Sequence, residues 1–349
     1  MVRQLHGSPS SITDVAALAN VSIATVSRVL SGKRAKNDDI SRRVREAAAQ
    51  LDYSVNRAAS SLRGTTTKMV GVVVPSTYDL FCSALIDALE PVIDDHSDQL
   101  ILGLGATHDL QMSRIESLVD RNVDGLVVVC APDTDLTDVF DRHAGQLPIV
   151  QIGEGRRSVH TSSVTIDQAL SMEQVISHLA TLNVKSVAYL AGEQFSFESA
   201  EMLSMLHTQL RAFGLTTQPS WNQFGPATVE RGFNATMRIL ATDRPDAIVC
   251  VDDNVAFGAM VAIRALRLRV PQDIKVIGAN DSPLSRESNP TLTTLRPPFE
   301  QIADEAMRLI ERGPSYTSHI SLVSQLIVRE STLGTAADME RQITSGADE

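Results

Sequence analysis

Three short apolar patterns of helical period open the chain. Ser11-Ile12-Thr13-Asp14 has the form of a capping box, and after it Val15, Leu18 and Ala19 recur at helical spacing. Asn20-Val21-Ser22 breaks the pattern, and Ser22 is placed to cap a second helix from Ile23 to Leu30, with Val26, Val29 and Leu30 inward. Ser31-Gly32 stops that helix. Asn37 then caps a third, with Ile40, Val44, Ala47, Ala48 and Leu51 inward and Arg42, Arg43 and Arg45 outward. Two short helices joined by a tight turn and closed by a third predict a helix-turn-helix, a small all-α domain.

Asp52 to Gly64 carries a further short pattern, in which Asn56 can cap and Gly64 can end a helix. So short a helix is unstable alone in water and needs a partner to order it. Thr65-Thr66-Thr67-Lys68 reads as a polar linker.

From Met69 the pattern changes. Short continuous apolar runs at 69–74, 100–104, 125–130, 149–152, 163–166, 187–190, 247–251 and 276–279 read as strands buried on both faces, hence parallel. Amphipathic stretches at 81–94, 111–121, 168–181, 199–213, 229–240, 254–266 and 299–311 read as helices between them. The alternation predicts an α/β core of doubly wound parallel sheets, repeated as two lobes.

Composition sharpens this picture. At 349 residues the chain is too long for one ordinary core. No apolar run is long enough to cross a bilayer, and MVRQLHGSPS lacks the apolar segment of a secretory signal, so the expected location is the cytoplasm, on the nucleoid when bound to DNA. Cys82, Cys130 and Cys250 are isolated and odd in number, which reads as reduced core thiols. The net charge of −11 is unevenly spread: residues 1–64 hold 10 Lys+Arg and 5 Asp+Glu, leaving 21 basic and 37 acidic residues, or +5 against −16. The positive charge lies where a phosphate-contacting surface needs it.

In a helix-turn-helix the second helix enters the major groove with its first residues against base edges. Those are Ile23 and Ala24, with Arg28 one turn on. Arg is shaped for bidentate bonds to guanine, and small apolar groups suit a thymine methyl. Ser22, Thr25 and Ser27 can donate to phosphates, and Ser11 joins them at this surface.

ITDVAALANVSIATVSRVLSG resembles the opening of the lac repressor (LacI/GalR) family, whose pattern runs close to DVAxxAGVSxxTVSRVLNG. Asn20 stands where that family usually has Gly, and Ser31 where it has Asn. The following stretch resembles the family's Y-x-P-N-x-x-A-x-x-L, with Val55 in place of Pro. In the core, NVDGLVVV, the segment AIVCVDDNVAFGAMVAIRALRLRVPQDIKVIGAND and PTLTTLRPP follow family segments, so the resemblance spans about residues 10–335. It implies a periplasmic-binding-protein-like core with three crossovers between lobes. It also implies a homodimer on a near-palindromic operator, and paired hinge helices in the minor groove. There Asn56 and Arg57 contact DNA and Leu62 is the apolar wedge. The domain boundaries then fall at 9–55 for the helix-turn-helix and 56–67 for hinge and linker. The core takes 68–335, with one lobe about 68–166 and 294–321, the other about 167–293 and 322–335, and a flexible tail follows at 336–349.

Ligands in such folds bind at the carboxyl ends of strands. The expected small-molecule effector, a sugar or sugar derivative in an atypical pocket, falls to Tyr78, Phe81, Gly153, Phe197, Met202, Asp252 and Asn280. Several depart from the family's sugar contacts: Gly153 stands for Asp, Met202 for Arg, Met205 for Gly, Asp252 for Asn and Asn280 for Asp. Met cannot supply the directed bonds of an Arg fork, so the usual sugar arrangement is altered. Arg156-Arg157 is a candidate phosphate contact beside a plain reading as a solvated loop. No cofactor, metal or membrane partner is expected: the His residues lack ligand spacing, Gly103-Leu104-Gly105 is only a fragment of a phosphate loop, and no nucleophile elbow occurs. The expectation is thus a regulator and not an enzyme. Its rivals are a regulator controlled by a partner protein or by nothing, a solute-binding protein of the same core fold, and a doubly wound enzyme.

Overall fold

The structure, a computed structural model, describes residues 11–30, 38–51, 53, 66–153, 155–193 and 197–334. The chain divides into two compact units, Met1–Thr67 and Lys68–Glu349. Residues 54–65 of the hinge, the tail at 336–349 and Ser31, Gly32 and Asn37 lie outside the described residues.

The first unit holds α1 (Ile12–Ala19), α2 (Ile23–Leu30) and α3 (Asp39–Gln50). The capping box at Ser11 and Asp14 forms in full. Asn20 ends α1 in the left-handed region, at φ 50° and ψ 54°, a conformation Asn tolerates better than most residues. The bend it makes sets α1 and α2 at 102°, within the range of a helix-turn-helix. Val15, Ala16, Ala19, Val26, Val29, Val44, Ala47 and Ala48 form the core, edged by Ile12, Leu30, Leu51 and Tyr53. Two expectations are corrected. Leu18 is 50% exposed, because the buried face of α1 runs through Ile12, Val15, Ala16 and Ala19 and leaves Leu18 on its outer flank. The cap of α3 is Asp38, whose Oδ1 accepts from the Ser41 amide at 3.0 Å.

The second unit is built on two six-stranded sheets. The first contains β1 (Met69–Val74), β2 (Gln99–Leu104), β3 (Gly125–Val129), β4 (Ile149–Ile152) and β5 (Ser162–Ile166). The second contains β6 (Val187–Leu190), β7 (Asn222–Gln223), β8 (Ala247–Cys250), β9 (Lys275–Ala279) and β10 (Thr293–Arg296). The chain then returns to give β11 (His319–Leu322) to the first and β12 (Gln325–Ile327) to the second. It therefore passes between sheets three times, after β5, after β10 and after β11. The orders are β11-β5-β4-β3-β1-β2 and β12-β10-β9-β8-β6-β7. Every pair is parallel except β10 with β12.

Helices lie on both faces of each sheet, which is why most strands read as unbroken apolar runs, but the edge strand β2 departs from the expected two-sided burial, with Leu102 and Leu104 40% and 43% exposed. On the first sheet, α4 (Leu80–Asp95) and α11 (Phe299–Glu311) pack one face, and α5 (His108–Asp120) and α6 (Thr137–His143) the other. On the second sheet, α7 (Gln168–Thr181) and α8 (Phe197–Ala212) oppose α9 (Val229–Leu240) and α10 (Asp253–Ala265). The α9–α10 crossing is unusually close: a Cβ on Gly232 would stand 2.1 Å from the Val255 oxygen, and one on Gly258 2.0 Å from the Val229 oxygen. In each sheet the strand order reverses beside the first strand entered, at β1/β3 and at β6/β8. Crevices that bind ligands open at such reversals, beyond the carboxyl ends of the strands.

Candidate functional site

The first unit presents α2 as its contact surface. Val26 and Val29 fix the inner side of the helix, and this leaves Ile23, Ala24 and Arg28 exposed on the other. Ser22 caps the helix: its Oγ accepts from the Thr25 amide at 3.2 Å and lies 2.9 Å from the Thr25 hydroxyl. Ser27 and Thr25 are half-buried beside this face. Ser11 is engaged at the start of α1, where its hydroxyl donates to Asp14 Oδ2 at 2.7 Å and its Oγ accepts from the Asp14 amide at 3.3 Å. The Ser11 amide, donating to Asp14 Oδ2 at 2.8 Å, and then the Ser11 hydroxyl hold the Asp14 carboxyl below its ordinary range. On α3, Arg42 and Arg43 both pair with Asp39, so part of the outward basic charge is offset within the helix. Asn56, Arg57 and Leu62 lie outside the described residues.

In the second unit the expected cleft residues gather unevenly. After β1, Asp79 caps α4, its Oδ1 accepting from the Cys82 amide at 2.8 Å. Tyr78 next to it is 93% exposed. Phe81 is half-buried and meets Phe299 at 5.4 Å between ring centroids, a tilted aromatic pair. Gly153 ends β4 at φ +87°, a conformation that favours glycine over the Asp of the family pattern. Arg156 is tied to Asp135 at 2.9 Å.

At the matching end of the second sheet, Asp252 caps α10 by accepting from the Val255 amide at 2.9 Å. It is buried, and desolvation raises its pKa to about 6. The Val255 amide opposes that rise, while the charges of Asp253 and Asp79 add to it. Asp79 follows β1 and Asp252 follows β8, so the charge of one strand end is felt at the other. Asp253 is fully buried and also raised to about 6 by desolvation, although it accepts from the Thr294 hydroxyl and the Ser282 amide, each at 2.7 Å. Asn280 is half-buried with φ 90°, and its amide donates to the Leu295 oxygen at 2.8 Å. Asp281 beside it collects Arg286, Arg296 and Arg329. Burial alone would raise its pKa, but these arginines hold it below the ordinary value. Asp281 and its arginines lock the β9 end to β10 and to the last segment of the chain.

Met202 is not at a polar site. It is half-buried against the apolar cluster of α7, α8 and the second sheet, and Met205 is also half-buried on α8. Phe197 begins α8, and its side chain lies outside the described residues. The sequence reading missed Phe299 and Arg231. Arg231 lies on the first turn of α9 with 8% exposure, and its Nη2 donates to the Ala191 and Gln223 carbonyls. A charged residue directly before the inward Gly232 was the one signal that could have found it. Among the described residues, no group of three or more His, Cys, Asp and Glu could hold a metal ion. No single helix there is long and apolar enough to cross a membrane.

Comparison with known proteins bears on both units. Residues 11–56 match the model of bacterial regulatory proteins, lacI family, and residues 176–332 match the periplasmic binding protein-like domain. The HTH-type transcriptional repressor PurR of Vibrio cholerae is 29% identical over 304 residues, which are 86% of this chain and 90% of that one. Catabolite control protein A of Staphylococcus aureus is 27% identical, over 86% of this chain and 91% of its own. A lac repressor dimer solved with operator and the anti-inducer ONPF superposes with a TM-score of 0.82 at 26% identity, covering 93% of this chain and 99% of that one. The regulator CelR in complex with cellobiose gives a TM-score of 0.68 at 25% identity, over 92% and 99%.

Proposed function

The chain belongs to the lacI family of bacterial regulatory proteins, and from that premise we propose that it is a homodimeric repressor binding a two-fold symmetric operator under the control of a small molecule in its cleft. The observation that carries the DNA-binding half is the α1–α2 crossing at 102°, with Ile23, Ala24 and Arg28 exposed beyond it. In this reading those three side chains meet base edges in the major groove. Ser11, Ser22, Thr25 and Ser27 set the register on phosphates, and Asn56, Arg57 and Leu62 act from residues 56–67 in the minor groove. The operator in the lac repressor structure and the cellobiose in the CelR complex support a DNA partner and an effector for this chain.

The effector half rests on two strand-order reversals whose loops carry Asp79 and Phe81 on one lobe and Asp252 on the other. A ligand bridging them acts only through a difference in its affinity for the open and closed arrangements of the lobes. The lobes are taken as about 68–166 with 294–321, and about 167–293 with 322–335. The role is regulatory and not enzymatic, and it is exercised in the cytoplasm, where DNA is. The packing of Met202 among apolar residues favours a second reading, control by a partner protein or by none. Selection from random duplex fragments tests the proposal. The full chain is expected to retain a set sharing one two-fold symmetric motif. Retention without any shared symmetric motif, at moderate salt, contradicts it.

A further inference from the structure

Arg231 is a buried cation with no ion pair among the described residues. Only 8% of the residue is exposed. Its Nη2 reaches the carbonyls of Ala191 and Gln223, at the carboxyl ends of β6 and β7. Its Nε and Nη1 are closed off from solvent and have no acceptor among the described residues. Both bonded partners are neutral carbonyls, and no carboxylate among the described residues bonds the guanidinium. Asp252 and Glu193 act on it only through longer-range charge, and desolvation lowers its pKa. Folded chains seldom bury a full charge this way, because its lost hydration must be replaced by a paired and hydrogen-bonded partner.

Position says what that partner is. The unpaired charge stands next to the β6/β8 reversal, where the second sheet opens its crevice. Gly225 lies directly against it: a Cβ there would stand 3.3 Å from Nε, and the residue has none. One side of Nε is therefore covered by bare backbone. The Arg expected on α8 by the family resemblance is Met202, packed among apolar side chains. The second lobe thus brings its guanidinium to the crevice from α9 and not from α8.

We propose that Arg231 determines effector specificity, and that the effector carries an oxyanion, a carboxylate or a phosphate, which pairs with Nε and Nη1. The inference rests on the cleft being the effector site. Asp252 accepts from hydroxyl or amino groups of the same molecule, so the class is an anionic compound that also bears donors. Because Nε and Nη1 are sheathed, the anion enters as the segment around Gly225 gives way.

Thermal unfolding of the full chain tests this. The probes are inorganic phosphate, acetate, glucose 6-phosphate, glucuronate and glucose at constant ionic strength, with Arg231→Gln and Arg231→Lys beside the parent. At least one anion is expected to raise the parent midpoint saturably by about 2 °C or more. Phosphate and glucose 6-phosphate against acetate and glucuronate separate the two oxyanions. Arg231→Lys is expected to keep part of the shift and Arg231→Gln none. A shift with glucose alone overturns the anionic class and leaves the cleft standing, whereas no shift with any probe removes both. An undiminished shift in Arg231→Gln overturns the role of Arg231. Should that variant not fold, the Nε–H resonance of the parent, assigned by its loss in Arg231→Lys, must move on titration. A stationary resonance under a rising midpoint overturns the proposal.

Discussion

At the scale of single residues, two side chains separate the chemistry of the two units. Arg28 is exposed on α2, where a guanidinium can meet a guanine edge. Replacing it with Ala should cost about 1–3 kcal/mol of operator affinity and relax preference at one base pair. An equal loss against every operator variant would make it a phosphate contact. Asp252 makes a claim about pH. Its pKa rises from 3.8 to about 6 through burial. The folded chain therefore keeps a proton there that the unfolded chain has released, and folding is increasingly disfavoured as pH climbs from about 4 to about 6. Asp253, raised to about 6 as well, adds a loss of the same sign. Asp252→Asn keeps an acceptor for the Val255 amide and removes the charge. It should stabilise the core by about 1–2 kcal/mol at pH 7 and by nothing near pH 3.5, read by denaturant unfolding across pH. A variant less stable at pH 7 would mean that attraction between Asp252 and Arg231 outweighs the cost of burial.

At the scale of elements, the tightest constraint is the α9–α10 crossing. A Cβ on Gly258 would stand 2.0 Å from the Val229 oxygen and 2.6 Å from the Phe233 amide, and neither backbone atom can move without its helix. Gly258→Ala should therefore cost about 3 kcal/mol or more of core stability in denaturant unfolding, while a loss under 1 kcal/mol would show that the helices can part. Much of this level was legible in the sequence. The strands β1, β3 to β6, β8 and β9 stand out as apolar runs because helices cover both their faces, whereas β2 is apolar at an edge that leaves Leu102 and Leu104 exposed. Others were not legible: β7 has two residues and β12 three, too few to show a period, and β10 and β11 alternate Thr, Ser and His with aliphatics at the crossovers. Leu18 was misplaced because spacing alone does not say which flank of a helix meets its neighbour. Arg231 was invisible because burial of a charge is a fact of tertiary packing.

At the scale of the whole molecule, charge divides the labour. Residues 1–64 carry +5 and the remainder −16, so attraction to DNA is confined to the small unit while the acidic core is repelled by phosphate. The core contributes recognition of another kind, through sheet ends that hold buried carboxylates and a guanidinium whose Nε and Nη1 have no acceptor among the described residues. Operator affinity should accordingly fall steeply with salt, with log K linear in log salt, whereas effector binding should respond far less. The most direct check on the account is a titration of the full chain against its selected symmetric duplex, the same duplex with one half-site scrambled, and one with both scrambled, at physiological salt. The account predicts that the intact operator binds at least about a thousandfold tighter than the doubly scrambled duplex, with most of that advantage lost when one half-site is destroyed. Equal affinity for all three would contradict it.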